Sequence, residues 1–131
     1  MPQVHRLAAG STVPDDIVAI ASGSGMECAA VEGIGGVDEL TIAYYNHQTK
    51  KYEEHHFNEF LEVTSLIGNV TVKEGKLFLH AHGTFGRKDL SVVGGHVMSA
   101  RVYPTLEMVF TELENKAVRE FDEESGLFLI R

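Results

Sequence analysis

The sequence predicts an α+β fold, in which one main helix packs against a mostly antiparallel β-sheet. Only one stretch repeats apolar residues at helical spacing, whereas most of the remaining chain alternates with a period of two. The connections between the alternating segments are short, and parallel crossovers need about a dozen residues, so neighbouring strands should pair antiparallel. The 131 residues contain no repeat and no linker-like segment. We therefore expect a single domain over residues 1–131.

The helix is predicted after a short opening strand, Val4–Leu7, and a turn. Ser11 or Thr12 can cap its N-terminus, because their hydroxyl groups accept hydrogen bonds from backbone N–H groups there. Pro14 is favoured in the first turn. The helical spacing comes from Val13, Ile17, Ile20 and Ala21, and Gly23 and Gly25 end the pattern.

Strands are predicted for most of the remaining chain, because β-branched and aromatic residues alternate with polar ones there. The predicted strands are Cys28–Ile34, Glu39–Tyr45, Lys51–Phe57, Phe60–Val72, Leu77–Phe85, Leu90–Ser99 and Val102–Leu113. Turn residues separate them at Gly35–Gly36, Asn46–His47, Glu74–Gly75 and Arg87–Asp89.

The formal net charge of −8 bears on partners. The basic residues are scattered, with no run longer than Lys50–Lys51 or Arg87–Lys88, whereas duplex-binding domains concentrate Lys and Arg in a basic patch. Acidic residues collect near the end of the chain and are expected to form a solvated face. Nucleic acid is therefore the less favoured partner.

Cysteine usage and hydropathy predict a cytoplasmic location. Cys28 is the only cysteine, so the fold cannot rest on internal disulfides, and we expect this residue to be buried. No segment is apolar enough for a signal peptide or a membrane span.

Three of the seven histidines lie within Leu77–Val97. Alternate residues of a strand point to the same face, so His80 and His82 should project together, about 6.6–7 Å apart at their Cα atoms. In a hairpin that pairs His82 directly with His96, His80 lies on the neighbouring diagonal. A register shifted by one residue would send His96 to the opposite face.

Three imidazoles on one face suit a divalent transition metal. Zinc is the first candidate, and nickel, copper and iron also bind imidazole. Three protein ligands leave a position open to water or substrate, as in catalytic sites. Gly94–Gly95 should leave room for such a ligand, and His82 should lie closest to His96. The alternative is that these are half-exposed strand histidines with ordinary hydrogen bonds.

Other polar residues are weaker candidates. Glu62 and Glu107 lie in apolar strands, where burial would raise a carboxyl pKa and favour a general base, although an exposed face or an interface is the simpler interpretation. Arg87, in a predicted turn, or Arg101 could hold an anion near the metal. His55–His56 should lie on a solvated strand edge.

Four segments carry a resemblance to a known family. They are VEGIGGVDELTIAYYN (Val31–Asn46), FLEVTSLIGNV (Phe60–Val70), LFLHAHGTFGRKDLSVVGGHV (Leu77–Val97) and VYPTLEMVFTEL (Val102–Leu113). In wording, order and spacing they resemble the plant and prokaryote conserved (PPC) domain over nearly the whole chain. The resemblance implies an antiparallel sheet with one helix, assembled as a homotrimer. It also implies metal binding at the positions of His80, His82 and His96.

The resemblance also brings a DNA-binding label. Plant relatives join this domain to AT-hook segments with an Arg-Gly-Arg-Pro core, and this sequence has no such run. The label is therefore an analogy at the level of fold. Three hypotheses stay open: a trimeric metal-binding protein with a small-molecule ligand or substrate, a DNA-binding or regulatory module, and a structural assembly domain. The sequence names no substrate and does not decide whether the protein is an enzyme.

Overall fold

Nine strands and one helix make up the chain, as the dominant period of two indicates. A computed structural model describes residues 1–131. The strands are β1 (Gln3–Ala8), β2 (Thr12–Val13), β3 (Ala29–Asn46), β4 (Lys51–Phe57), β5 (Leu61–Lys73), β6 (Lys76–Gly86), β7 (Val92–Glu112), β8 (Val118–Asp122) and β9 (Leu127–Ile130). The helix α1 covers Asp15–Gly23. No helix is both long enough and apolar enough to cross a membrane.

All nine strands belong to one sheet. Its order is β4-β3-β7-β6-β5-β8-β9, and β1 and β2 also pair with β7. Every pairing is antiparallel except that of β5 with β8. Because β3 pairs with both β7 and β5, the strands β3, β7, β6 and β5 form a closed cycle of pairings. The predicted α+β class, with a mostly antiparallel sheet and one helix, is confirmed.

The core lies inside this curled sheet and under α1. Phe85, Leu106 and Phe110 are fully buried, as is Ile17 on the inner face of the helix. Alternate residues of each strand face this core, so the polar residues between them are left on the outer face. The three histidines of interest belong to that outer set.

Two predicted strand boundaries are wrong. Gly35–Gly36 lies inside β3, and the predicted strands Leu90–Ser99 and Val102–Leu113 are joined in β7, which begins at Val92 and ends at Glu112. Both glycines sit where β7 approaches closely, because a Cβ atom on Gly36 would lie 2.3 Å from the carbonyl oxygen of Tyr103. The pairing of β3 with β7 shifts register here. These glycines permit a bulge instead of a turn.

The predicted helix cap is also wrong. Pro14 occupies the N-cap position and no side chain caps the helix. Thr12 belongs to β2, which pairs with β7, and its hydroxyl group does not cap the helix. Instead, a side chain of the first helical turn contacts the segment before the helix: the backbone N–H of Thr12 donates a hydrogen bond to Asp16 Oδ2 at 2.7 Å.

The C-terminal hairpin, β8–β9, was not predicted from the sequence. The glutamates of this region are exposed as expected, but Arg119 between them is buried. The hydroxyl group of Tyr45 donates to the carbonyl oxygen of Ser125, which ties the hairpin to β3. Cys28 is buried as expected, and its sulfur accepts a hydrogen bond from the N–H of Ala117 at 3.1 Å, just before β8.

Candidate metal centre

Strand β6 presents His80 and His82 on the outer face of the sheet. Their neighbours Leu79 and Ala81 are buried, whereas His80 is half-buried and His82 is exposed. The alternation follows from the period of two in a strand. The predicted common face of His80 and His82 is confirmed.

Strand β7 brings His96 to the same place. His82 pairs directly with His96 in the β6–β7 ladder, and Gly83 pairs with Gly95. Because this register pairs His82 with His96, all three imidazoles lie on one face of the sheet. The predicted arrangement is confirmed. On its other side, His96 pairs with Ala43 of β3.

Gly94 and Gly95 also have a packing role that was not predicted. A Cβ atom on Gly95 would lie 2.9 Å from the carbonyl oxygen of Ala43, and one on Gly94 would lie 3.0 Å from that of Gly83. Both glycines therefore permit close strand packing. They also line a shallow depression beside His82.

The three rings converge closely enough to share one ion. His80 Nε2 and His82 Nε2 are 3.2 Å apart, and neighbouring nitrogens in a tetrahedral zinc site lie about 3.3 Å apart. All three residues offer nitrogens within 4.8 Å of one another, and the group contains no carboxylate or thiol. To share an ion with the other two rings, His96 therefore needs to approach by at most about 1.5 Å. The donor set fits a divalent transition metal.

His96 is not closer to one partner than to the other. Its ring centroid lies 5.4 Å from that of His80 and 5.4 Å from that of His82. The expectation that His82 is its closest partner is therefore wrong for the rings, although it holds for the backbone register.

Burial keeps two of the histidines neutral. It lowers the pKa of His96 to about 4, and positive charge on His80 and His82 contributes to the shift. Burial also lowers the pKa of His80, with further contributions from the charge of Arg119 and from His82. Neutral imidazole is the form that binds metal, so both rings are in the binding form at pH 7.

A cavity of about 410 Å³ adjoins His80 and His96. The ring of Tyr52, on β4, lies 4.8 Å from that of His96. Burial raises the pKa of Tyr52, so its hydroxyl group is protonated at pH 7 and can donate a hydrogen bond. The other lining residues are Lys73, Phe78, Met98, Arg119, Gly126, Leu127, Phe128 and Leu129. The C-terminal hairpin therefore forms one wall of the site.

The arginine nearest the histidines is Arg119. Its Nη2 lies 3.5 Å from His80 Nδ1. The two predicted anion-binding arginines pair with carboxylates elsewhere: Arg87 with Glu59 at 2.8 Å, and Arg101 with Asp38 at 2.8 Å. Neither lines the cavity beside the histidines, so the expectation for Arg87 and Arg101 is wrong.

The remaining candidates do not join the three histidines. Glu62 and Glu107 are exposed, so they lack the burial that a general base with a raised pKa would need. His55 and His56 are exposed on β4, the edge strand, as predicted, and His56 Nδ1 lies 2.9 Å from Thr41 Oγ1.

Sequence reasoning missed Tyr52, Lys73 and Arg119. Tyr52 and Arg119 come from elements that reach the histidines only through pairing between distant segments, whereas Lys73 lies in the predicted β5–β6 hairpin. One local signal was available for Arg119, because it is a cation within a strongly acidic segment.

The family of the chain follows from comparison with known proteins. A family model for the Plants and Prokaryotes Conserved (PCC) domain, also abbreviated PPC, matches residues 1–114. The chain belongs to the PCC domain family. The resemblance seen in the sequence is confirmed, and Arg119 lies beyond the matched residues.

Solved structures of PCC-like proteins share the whole fold. A metal-containing protein from Archaeoglobus fulgidus is 34% identical, with a TM-score of 0.94, and the match covers 100% of this chain and 93% of that one. A plant- and prokaryote-conserved protein from Pyrococcus horikoshii is 28% identical, with a TM-score of 0.93 and coverage of 100% and 91%. A protein from Bacteroides thetaiotaomicron, provisionally described as DNA-binding, is 27% identical, with a TM-score of 0.94 and coverage of 99% and 91%. No curated protein matches the chain.

Proposed function

We propose that this PCC-domain protein binds one divalent transition metal, most suitably zinc, through His80, His82 and His96. The observation that carries the proposal is the convergence of three imidazole nitrogens within 4.8 Å. The burial that keeps His80 and His96 neutral adds support. So does the 34% identical A. fulgidus relative, which is described as metal-containing.

The proposed site is of the open type. Three protein ligands leave at least one position of a tetrahedral shell for water, an anion or a substrate. A metal bound there would supply a Lewis acid that polarises an oxygen ligand. The residues around it would bind and orient that ligand, because Tyr52 and Arg119 line the adjoining cavity.

We further propose that the functional unit is a homotrimer, as the family resemblance implies. Val4, Ile34 and Ile67 are 73%, 57% and 59% exposed, and they line one groove across the sheet. Apolar side chains gathered in this way are typical of an interface, and most soluble oligomers close with cyclic symmetry.

Metal analysis of protein purified without a histidine tag tests the metal site. We expect about one transition-metal ion per chain, because the three donors form one site. His82→Ala should lose the metal and remain folded, since His82 is exposed and does not face the core. The matched control is His56→Ala, an exposed histidine on another strand, which should keep the metal. Wild-type protein without metal, even after incubation with zinc, would contradict the proposal and favour a structural assembly domain.

DNA binding is the alternative that the B. thetaiotaomicron relative's description suggests. The net charge of −8 and the lack of any basic run oppose it. We therefore treat duplex binding as the weaker candidate function.

A further inference from the structure

The cavity beside His80 and His96 is cationic, in a chain whose net charge is −8. Arg119 and Lys73 contribute the charges, and no carboxylate lines the cavity. Positive charge is therefore concentrated in this cavity, although the chain as a whole is acidic.

Arg119 is buried without a counter-ion. It is only 7% exposed, and it belongs to none of the ion pairs of the protein. Neutral oxygens hold its guanidinium group in place. Nε donates to Thr71 Oγ1 at 2.8 Å, Nη2 to Asn69 Oδ1 at 2.9 Å, and Nη1 to the carbonyl oxygen of Phe128 at 3.2 Å. A buried charge without an opposite charge is costly, so a cation fixed in this way is suited to an anionic ligand.

Lys73 faces Arg119 directly across the β5–β8 ladder. Its Nζ lies 4.5 Å from the ring centroids of both Phe78 and Phe128, and the Arg119 Cζ lies 5.6 Å from the Phe78 ring. Two positive charges held close together repel each other. Lys73 and Arg119 both lie over the Phe78 ring, and no carboxylate lines the cavity to offset their repulsion.

The remaining wall of the cavity is apolar. Phe78, Met98, Leu127, Phe128 and Leu129 line it. This surface suits the carbon skeleton of an organic molecule better than an inorganic ion, which would leave the wall uncovered. A volume of about 410 Å³ is enough for a molecule of a few carbon atoms.

We propose that this cavity binds a small organic carboxylate. Its carboxylate group pairs with Arg119 and Lys73, and a second oxygen atom, a hydroxyl or keto group, reaches the open position of the metal. A guanidinium group has five N–H donors, and three of those of Arg119 are committed to neutral oxygens. Nη2 also lies within hydrogen-bond distance of His80 Nδ1, at 3.5 Å, so the second N–H of Nη1 is the donor that remains for a ligand. The contact of the second oxygen rests on the proposed metal site, whereas the carboxylate contact does not.

The test uses the full chain loaded with cobalt(II), whose visible absorption changes when the ligand shell changes. Lactate is the probe, and lactamide is its uncharged control of nearly the same shape. We expect lactate to produce a saturable spectral change, with lactamide at least tenfold weaker because it lacks the charge that pairs with the two cations. Equal responses to the two molecules would overturn the proposal. Inorganic phosphate that bound more tightly than lactate would overturn its organic part.

Variants assign the effect to the cavity. Arg119→Gln should weaken lactate binding at least tenfold with the cobalt content unchanged, and Arg119→Lys should restore part of the affinity. Arg131→Gln is the matched control, because Arg131 is an exposed arginine beside the same hairpin and pairs with Glu120. Since Arg119 is buried and its variant can misfold, Lys73→Gln provides a second test at a half-buried position. Wild-type affinity in the folded Arg119 and Lys73 variants would overturn the proposal.

Calorimetry on chelator-treated protein separates this inference from the proposed function. If the chain takes up no cobalt but binds lactate in a way that depends on Arg119, the metal site fails and the anion site stands. If cobalt is bound and lactate is not, the metal site stands and the carboxylate inference fails.

Discussion

Lowering the pH from 7 to 4 should destabilise the metal-free protein through His96. The folded-state pKa of His96 is about 4, below its ordinary value of 6.5, because the ring is buried next to His80 and His82. Between these two values the unfolded chain binds a proton that the folded chain does not. The free energy of unfolding therefore falls as the pH falls from about 6.5 to about 4, and it is constant with respect to this group outside that window.

The size of the effect follows from the shift. A difference of about 2.5 pH units corresponds to about 3 kcal/mol as an upper bound, at 1.36 kcal/mol per unit. The ring is only half-buried, and solvent screening reduces the expected contribution to about 1–2 kcal/mol. The lowered pKa of His80 acts in the same direction.

Urea unfolding of chelator-treated protein at several pH values measures this contribution, at one fixed protein concentration because subunit association would affect stability. Between pH 7 and pH 4, the free energy of unfolding of wild type should fall by about 1–2 kcal/mol more than that of His96→Gln. Asp89 and Asp122 also have lowered pKa values, through hydrogen bonds from Ser91 and Ser125, but they titrate in both proteins and cancel. Identical pH slopes in wild type and variant, or a steeper slope in the variant, would refute the reasoning.

Three further predictions concern packing, assembly and nucleic acid. Gly68→Ala should destabilise the protein by about 2 kcal/mol or more, because its Cβ atom would lie 2.1 Å from the carbonyl oxygen of His80. The control Gly86→Ala should change stability by less than about 0.5 kcal/mol, since its nearest neighbour would be 3.5 Å away; equal unfolding midpoints would contradict this. Light scattering at micromolar concentration should give the mass of three chains, and a stable monomer would contradict the proposed trimer. Fluorescence anisotropy at physiological salt should detect no duplex DNA binding, whereas submicromolar binding that weakens steeply with salt would show that prediction to be wrong.

The histidine cluster could be predicted because it depends on local rules. The alternation of strand residues places His80 and His82 together, and the register of one short hairpin decides the position of His96. No longer-range contact is needed to bring the three rings onto one face.

The remainder of the site depends on pairing between distant segments. Arg119 reaches His80 only because β8 pairs in parallel with β5, and no local pattern specifies that pairing. Tyr52 lies on β4 and His96 on β7, and β3 pairs with both of these strands. The two rings meet across β3, with their centroids 4.8 Å apart. The glycines were also ambiguous, because a glycine such as Gly36 fits either a turn or a close approach of two strands. The position of the Tyr103 carbonyl oxygen shows that Gly36 serves the close approach.

X-ray absorption spectroscopy of the zinc-loaded protein tests the central claim most directly, because it counts the ligands and measures their distances. We expect three imidazole nitrogens at about 2.0–2.1 Å with an oxygen donor completing the shell. His82→Ala should lose this signal, and His56→Ala should retain it. A zinc shell with fewer than three imidazoles, or the same three-imidazole spectrum in His82→Ala, would show that His80, His82 and His96 do not form the metal site.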